Sequence, residues 1–409
     1  MRKIELLLVF ITIVVLTNPI FPWTQRITYS SDMIEGDKYL QLFKSGLFLI
    51  TFLILIINWK IVKKIVLNEP YVFLIIIWAF CSTFWSEEPS MTIRRTIALL
   101  GATLVGLLFS IRLTHRKFLL IFGYAFLFLN IMSVFVSIFF PSWGIMNNGL
   151  GWQGIFNNKN ALGNICFISV IFFLELIRTS RKPIIWICGI LNSFFLLAMS
   201  KSMTSIAITV LIIFLWILFI NLQRLDRKIF FPLFLIIALS FTLLFWFYQN
   251  SDIKFLFDLL GKDMTFTGRI YTWDFVIYMF LQSPIIGYGY GAIWLGSNFG
   301  LGSYIGRQIN YFASNAHNGY LDVLLQLGYV GGAFSVLYLS RVIIKWFSQI
   351  FGKNLKKWPT WQIIFLTAIV IYNFFETDFL LNYRISWVIL AYLAFVSPEY
   401  PQEIRENYS

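Results

Sequence analysis

Long apolar stretches recur along almost the whole chain and leave little room for a soluble domain. A bilayer span takes about 20 mostly apolar residues. Twelve such stretches are read near 4–20, 43–58, 71–86, 92–111, 117–140, 161–178, 184–199, 204–220, 229–248, 318–340, 359–375 and 383–397. Backbone polar groups inside lipid must be satisfied within the segment, which favours helices. The expected fold is therefore all-α, a polytopic membrane protein of about 12 transmembrane helices, with residues 1–409 forming a single integral membrane domain. Composition agrees: 59% of the 409 residues are hydrophobic and 12% are charged, against about 25% charged in a soluble domain.

The formal charge of +13 could suggest a nucleic-acid partner, but the Lys and Arg residues gather between spans. Alternate segments hold Arg2/Lys3, Lys60/Lys63/Lys64, Arg112/Arg116/Lys117, Arg178/Arg181/Lys182, Arg224/Arg227/Lys228, the group from Arg341 to Lys357, and Arg405. Such an excess marks cytoplasmic loops, so both termini are expected in the cytoplasm and no nucleic acid is expected. The first apolar run ends in N-P-I-F-P-W without a small-x-small cleavage site, and reads as a retained helix rather than a signal peptide. Cys81, Cys166 and Cys188 lack pairing or ligand spacing, so neither a disulfide framework nor a zinc site is expected.

Residues 249–317 form one large extracytoplasmic loop in this topology. Its Tyr, Trp and Gly content, with few Ser or Pro, argues for an ordered and functional segment. Within it, 268–283 reads as an interfacial helix capped at Thr267 and stopped at Pro284. Arg269 falls in the first turn, where a cation opposes the helix dipole. Together with first-turn N–H groups it makes an anion site suited to phosphate; the plainer reading is an arginine snorkelling to lipid. The following P-I-I-G-Y-G-Y-G-A-I-W, 284–294, is too glycine-rich for a good helix and reads as a tight re-entrant stretch approaching something closely.

Residues 314–332, S-N-A-H-N-G-Y-L-D-V-L-L-Q-L-G-Y-V-G-G, place His317 in the first turn of the tenth span, capped by Ser314 or Asn315. The positive helix end favours a neutral imidazole able to accept a proton; a histidine merely hydrogen-bonded in the cap is the bland alternative. Asn318 and Asp322 are four apart and can share a face. Gly328, Gly331 and Gly332 read as close helix packing. Arg94, Arg95, Lys159, Asn160, Lys201, Glu376 and Asp378 fall on the same side of the bilayer. Each singly reads as a helix-end anchor, but together they suit an anionic, lipid-anchored substrate and an acid–base step. Trp273, Tyr288, Tyr290, Trp294, Tyr304 and Tyr311 offer flat faces for sugar rings, or belong to an interfacial belt.

Four motifs then occur in order: G-x-F-x-x-K-N-x-x-G from Gly154 to Gly163, S-x-S-x-T from Ser200 to Thr204, G-R-x-x-x-W from Gly268 to Trp273 followed by P-x-x-G-Y-G from Pro284 to Gly289, and H-N-x-x-L from His317 to Leu321. The series resembles the O-antigen ligase and polymerase superfamily. W-S-E-E-P-x-x-T-x-R-R, Trp85 to Arg95, is similar to the exopolysaccharide polymerase branch. The resemblance runs from about residue 80 to 390. It implies a GT-C-like fold in the cell (inner) membrane and an inverting, metal-independent glycosyltransferase with no cofactor. The active site would lie on the outer, periplasmic face. Its partners would be an undecaprenyl-diphosphate-linked oligosaccharide donor, a glycan acceptor, membrane lipid, and a chain-length regulator or flippase.

The resemblance also implies roles for residues. His317 would act as, or assist, the catalytic base, and Glu376 matches the carboxylate of a late N-x-x-E-S motif, with Thr377 where serine is usual. Arg269 would hold the diphosphate. Many ligases carry a second arginine in S-x-S-R-T where this chain has Met203, and Lys201 or Arg307 is expected to replace its charge, with Lys159 completing the diphosphate-binding set. Trp273, Tyr288 and Tyr290 are the expected sugar-binding residues, supported by Asn160, Asn318, Asp322, Arg94 and Arg95. The favoured activity is polymerisation of lipid-linked repeat units. The alternative within the family is a ligase moving a finished glycan to lipid A core or protein. A polysaccharide transporter or flippase is disfavoured, because span centres are nearly free of charge.

Overall fold

The structure is a computed structural model that describes residues 3–20, 38–222, 269–294, 300–308, 315–351, 360–381 and 384–397. The chain forms α1 (Lys3–Leu16), α2 (Lys38–Ile57), α3 (Trp59–Asn68), α4 (Tyr71–Cys81), α5 (Pro89–Arg112), α6 (His115–Phe139), α7 (Pro141–Gly144), α8 (Lys159–Thr179), α9 (Pro183–Ser200), α10 (Met203–Leu222), α11 (Arg269–Gln282), α12 (Gly300–Gln308), α13 (Gly319–Phe351), α14 (Thr360–Tyr372) and α15 (Ile385–Phe395). Among the described residues there is no β-strand, and Ile145 and Trp152 make an isolated bridge. Among the described residues seven helices are long and apolar enough to cross a bilayer, or up to eight if a bent pair counts as one span; α1, α14 and α15 are shorter apolar helices. This is a multi-pass membrane protein. The expected span 229–248 lies outside the described residues, and each of the others overlaps a helix.

Local chemistry sets many of the helix ends. Proline stands in the first turn of α5, α7 and α9, where its missing N–H has no helical partner to lose. Asn158 caps α8 by accepting from Ala161 N at 2.8 Å. The stretch 59–68, expected as a cytoplasmic loop, is instead the helix α3, bent by 89° from Tyr71–Phe84. Pro70 sits at the bend, because the residue before a proline is driven out of the α region. Its lysines recur at helical spacing while Val62 is buried, the pattern of a one-sided helix. The basic segment after 340, also expected as a loop, continues α13 as far as Phe351.

Within a bilayer, helices associate through close packing rather than loss of water. Helix α8 is central: 83% of its spanning window is buried, compared with 17% for α2. It packs against α6, α9, α10 and α14, while α15 lies on α5 and α13 on α4 and α11. Gly163 lets α8 approach α10 so closely that a Cβ there would overlap Ser205. Phe118 stacks on Tyr392 with ring centroids 3.6 Å apart, beside Trp361 and Phe172. At one end of the bundle Glu69 pairs with Lys345 at 3.2 Å and Arg341 at 3.4 Å. The other end carries the site.

Candidate active site

The site is held by an exchange of backbone hydrogen bonds between the 284–291 stretch and α13. Gly328 has φ 66° and ψ −168° and breaks α13. In a continuous helix Tyr329 and Val330 would donate to Leu325 and Gln326. They donate instead to the carbonyls of Pro284 (2.7 Å) and Ile285 (3.3 Å), while Leu325 and Gln326 accept from Tyr288 N (3.1 Å) and Gly289 N (2.9 Å). Every displaced group finds a partner, as buried backbone must. The expectation of close packing at Gly328 is corrected: a side chain there would overlap the Ile285 carbonyl, so this glycine is where a strap enters the helix. Arg95 Nη1 donates to Gly291 O at 2.5 Å and Trp85 Nε1 to Ile286 O at 3.2 Å, fastening the strap to the start of α5. Arg94 is exposed.

His317 is not in the first turn of a helix. It precedes α13 in the left-handed region, φ 49°, and Asn318 is the cap, its Oδ1 accepting from Tyr320 N (3.0 Å) and Leu321 N (3.1 Å). Asp322 stands one turn on, its N–H donating to Asn318 O at 3.0 Å. Asn315 Oδ1 accepts from His317 N at 2.8 Å, a turn that short polar side chains favour; Ser314 lies outside the described residues. Trp273 Nε1 donates to Ala316 O at 2.9 Å, so this indole ties α11 to the histidine loop.

Glu376 is the hub. Its Oε1 accepts from Arg269 Nη2 at 2.5 Å and Asn160 Nδ2 at 2.8 Å, and its Oε2 lies 2.9 Å from His317 Nδ1. Arg269 Nη1 also donates to Phe375 O at 2.6 Å. Burial on its own would raise the Glu376 pKa, but the hydrogen bond and charge of His317, with the Arg269 and Arg384 charges, outweigh it and hold the group below the ordinary glutamate value. An ionised carboxylate only accepts, so His317 Nδ1 carries the hydrogen. In the neutral ring Nε2 then has the lone pair. The side chains of Glu376, Arg269 and His317 are 7%, 17% and 21% exposed, so the histidine is the member nearest to access from outside.

Asn373 closes the loop that carries Glu376, its Oδ1 accepting from Asp378 N (3.0 Å) and Phe379 N (2.8 Å). Asp378 is buried, with Asn164 at 3.2 Å and Arg384 at 3.7 Å, and burial pushes its carboxyl up against the Arg384 charge. On the far side of Glu376, Ser202 donates to Asn160 Oδ1 at 3.0 Å. Lys159 Nζ and Lys201 Nζ reach the successive carbonyls of Leu150 (3.3 Å) and Gly149 (3.4 Å). Each lysine thus neighbours in sequence a residue wired to Glu376. The Arg307 side chain, Tyr311, Thr267 and Gly268 lie outside what is described.

Of the expected sugar-binding residues, Tyr290 is corrected: it is 5% exposed, its hydroxyl donates to Leu380 O, and it is part of the core. Tyr288 is partly exposed with its hydroxyl on Met279 O at 2.9 Å, and burial raises its pKa, helped by the Glu87 charge. Trp294, expected as a flat face for sugar, donates its Nε1 to Asp322 Oδ1 at 2.7 Å. Ser202, Asn373 and Thr377 are site residues that the sequence reading does not assign a role; short polar side chains in or beside the motifs are the signal that marks them.

A family profile described as O-Antigen ligase matches residues 187–336, from within α9 through the histidine loop and past the Gly328 break into α13. The chain is also 23% identical over 342 residues to the Exopolysaccharide production protein ExoQ of Rhizobium meliloti (strain 1021), covering 79% of this chain and 76% of that one. Over these stretches the chain is similar to the O-antigen ligase and polymerase superfamily, on its exopolysaccharide side. The matched region contains Arg269 and His317, whereas Asn160 and Glu376 stand outside it and join the site through folding.

Proposed function

We propose that this protein polymerises lipid-linked oligosaccharide repeat units into a surface or exopolysaccharide. The reaction is an inverting glycosyl transfer from an undecaprenyl-diphosphate carrier at the outer leaflet of the cell membrane, within a twelve-span, GT-C-like bundle whose termini are cytoplasmic. The observation that carries the reading is the His317–Glu376–Arg269 constellation. Glu376 holds His317 in the tautomer whose Nε2 accepts the proton of the incoming sugar hydroxyl. The oxygen of that hydroxyl attacks the anomeric carbon from the face opposite the diphosphate. The carbon–oxygen bond to the carrier breaks, and the lipid diphosphate leaves with its electron pair.

The leaving group is already anionic, so fixed cations rather than a general acid assist its departure. A guanidinium has further N–H donors beyond the two bonds of Arg269 seen here, and Lys159 and Lys201 add charge beside Asn160 and Ser202 where Met203 takes the place of a second arginine. Tyr288 and the ring face of Trp273 are left as candidate sugar contacts. A chain-length regulator or flippase is the expected protein partner. The relative from Rhizobium meliloti, named for exopolysaccharide production, supports polymerisation; the description of the family profile favours the second reading, transfer of a finished glycan by a ligase.

Deleting the gene and examining surface glycans separates them. Loss of polymer with single repeats remaining indicates the polymerase, and polymer stranded on its carrier indicates the ligase. Arg269→Ala and His317→Ala should each reproduce the deletion at normal protein level; full activity in either removes the assignment.

A further inference from the structure

Asp322 lies in the first turn of α13 and is 2% exposed, and its carboxylate joins three separated segments of chain. Oδ1 accepts from Trp294 Nε1 at 2.7 Å, at the far end of the strap. Oδ2 accepts from Thr377 Oγ1, and both oxygens face Ala316 N at 3.3 and 3.2 Å. Ala316 immediately precedes His317, and Thr377 immediately follows Glu376. The Ala316 carbonyl is held as well, by Trp273 Nε1. Both backbone groups next to the histidine are therefore fixed, at the point where His317 takes its left-handed conformation. All three partners of Asp322 are donors. An ionised carboxylate meets them with acceptors alone, whereas an amide would turn N–H groups toward at least one of them.

We infer that Asp322 is a positioning residue that sets the register of His317 against Glu376, by clamping the chain beside each of them. The inference rests on reading His317 as the base and Glu376 as its orienting carboxylate. Its physical content is that the 2.9 Å contact between them depends on a residue that touches neither side chain. A displacement of about 1 Å in a reacting group lowers turnover by about a hundredfold.

The test uses the full chain in lipid nanodiscs with ¹⁵N-labelled histidine, feasible because it has two histidines. His317→Ala identifies the remaining His115 signals. In the wild type, His317 should show a single tautomer with hydrogen on Nδ1. Asp322→Asn should mix tautomers at His317, leave His115 unchanged, and lower kcat for lipid-linked repeat units by about a hundredfold with little change in KM. Thr377→Val and Trp294→Phe each delete one donor and should act in the same direction, by about tenfold; they decide the matter if Asp322→Asn does not fold. An unchanged His317 spectrum, or an unchanged kcat, in the folded variants overturns the inference. If the wild type does not turn over lipid-linked glycan, or His317→Ala remains fully active, the functional reading fails instead, and the spectra alone decide the role of Asp322.

Discussion

Replacing Glu376 by glutamine changes one atom at the centre of the site, and the structure dictates which way the amide must turn. Oε1 accepts from both Arg269 and Asn160, so the glutamine oxygen stays on that side. Its NH2 group is then opposite His317 Nδ1, 2.9 Å away in the parent protein. The amide can only donate there, so the imidazole must move its hydrogen to Nε2 and can no longer take a proton from the acceptor. Loss of a positioned base lowers turnover by about 10²–10⁴-fold. Donor affinity should change far less. Removing one partner of a buried ion pair costs about 3–5 kcal/mol; Arg269 keeps some exposure and its bond to Phe375 O, so the lower end applies. Purified protein with a lipid-linked substrate gives kcat and KM, and thermal unfolding in detergent gives stability. A glutamine variant with wild-type kcat, or a loss confined to KM, refutes the tautomer argument.

Further outcomes follow from the same contacts. The Glu376 pKa lies below the ordinary 4.5 when folded, so the stability from its ionised form is complete above that value and fades as pH falls below it toward the folded pKa; acid unfolding curves should show this for the parent and lose it in Glu376→Gln. Gly328→Ala forces a left-handed alanine into the Ile285 carbonyl, and should cost about 2–4 kcal/mol, read as a lowered unfolding temperature. Lys159→Ala with Lys201→Ala should raise KM for the diphosphate donor by about tenfold and weaken its salt dependence, with kcat less affected. Tyr290→Phe should leave the KM for glycan unchanged because that ring is buried; a large KM increase would restore it as a sugar contact.

The helix ends show what could be read from the chain. Charged and amide groups at the ends of apolar runs need a reason, and this marks Arg269, His317, Asn160 and Glu376 in the sequence. The same reasoning misplaced the cap of α13. Asn315 and Asn318 are equally good capping residues by chemistry, and the choice depends on where the loop is pulled, here by Trp273 and Asp322. Tyr290 failed as a sugar contact for a related reason: an aromatic beside glycines looks the same in sequence whether it faces a ligand or the core. Gly328 was similarly ambiguous, since a glycine within an apolar run serves close packing as well as it serves a break.

By itself the sequence determined the class of molecule and marked the residues of its candidate chemistry. Runs of apolar residues can satisfy their backbone in lipid only as helices, and cations with a histidine between them define what they can attract and accept. Tertiary structure alone decided that Asn160 meets Glu376 from 216 residues away and that His317 meets it from 59. Those meetings depend on how tightly α8 sits on α10 and where the strap enters α13. Hydrogen bonds across such distances are set by the packing of whole helices, and residue order along one chain carries no direct record of it.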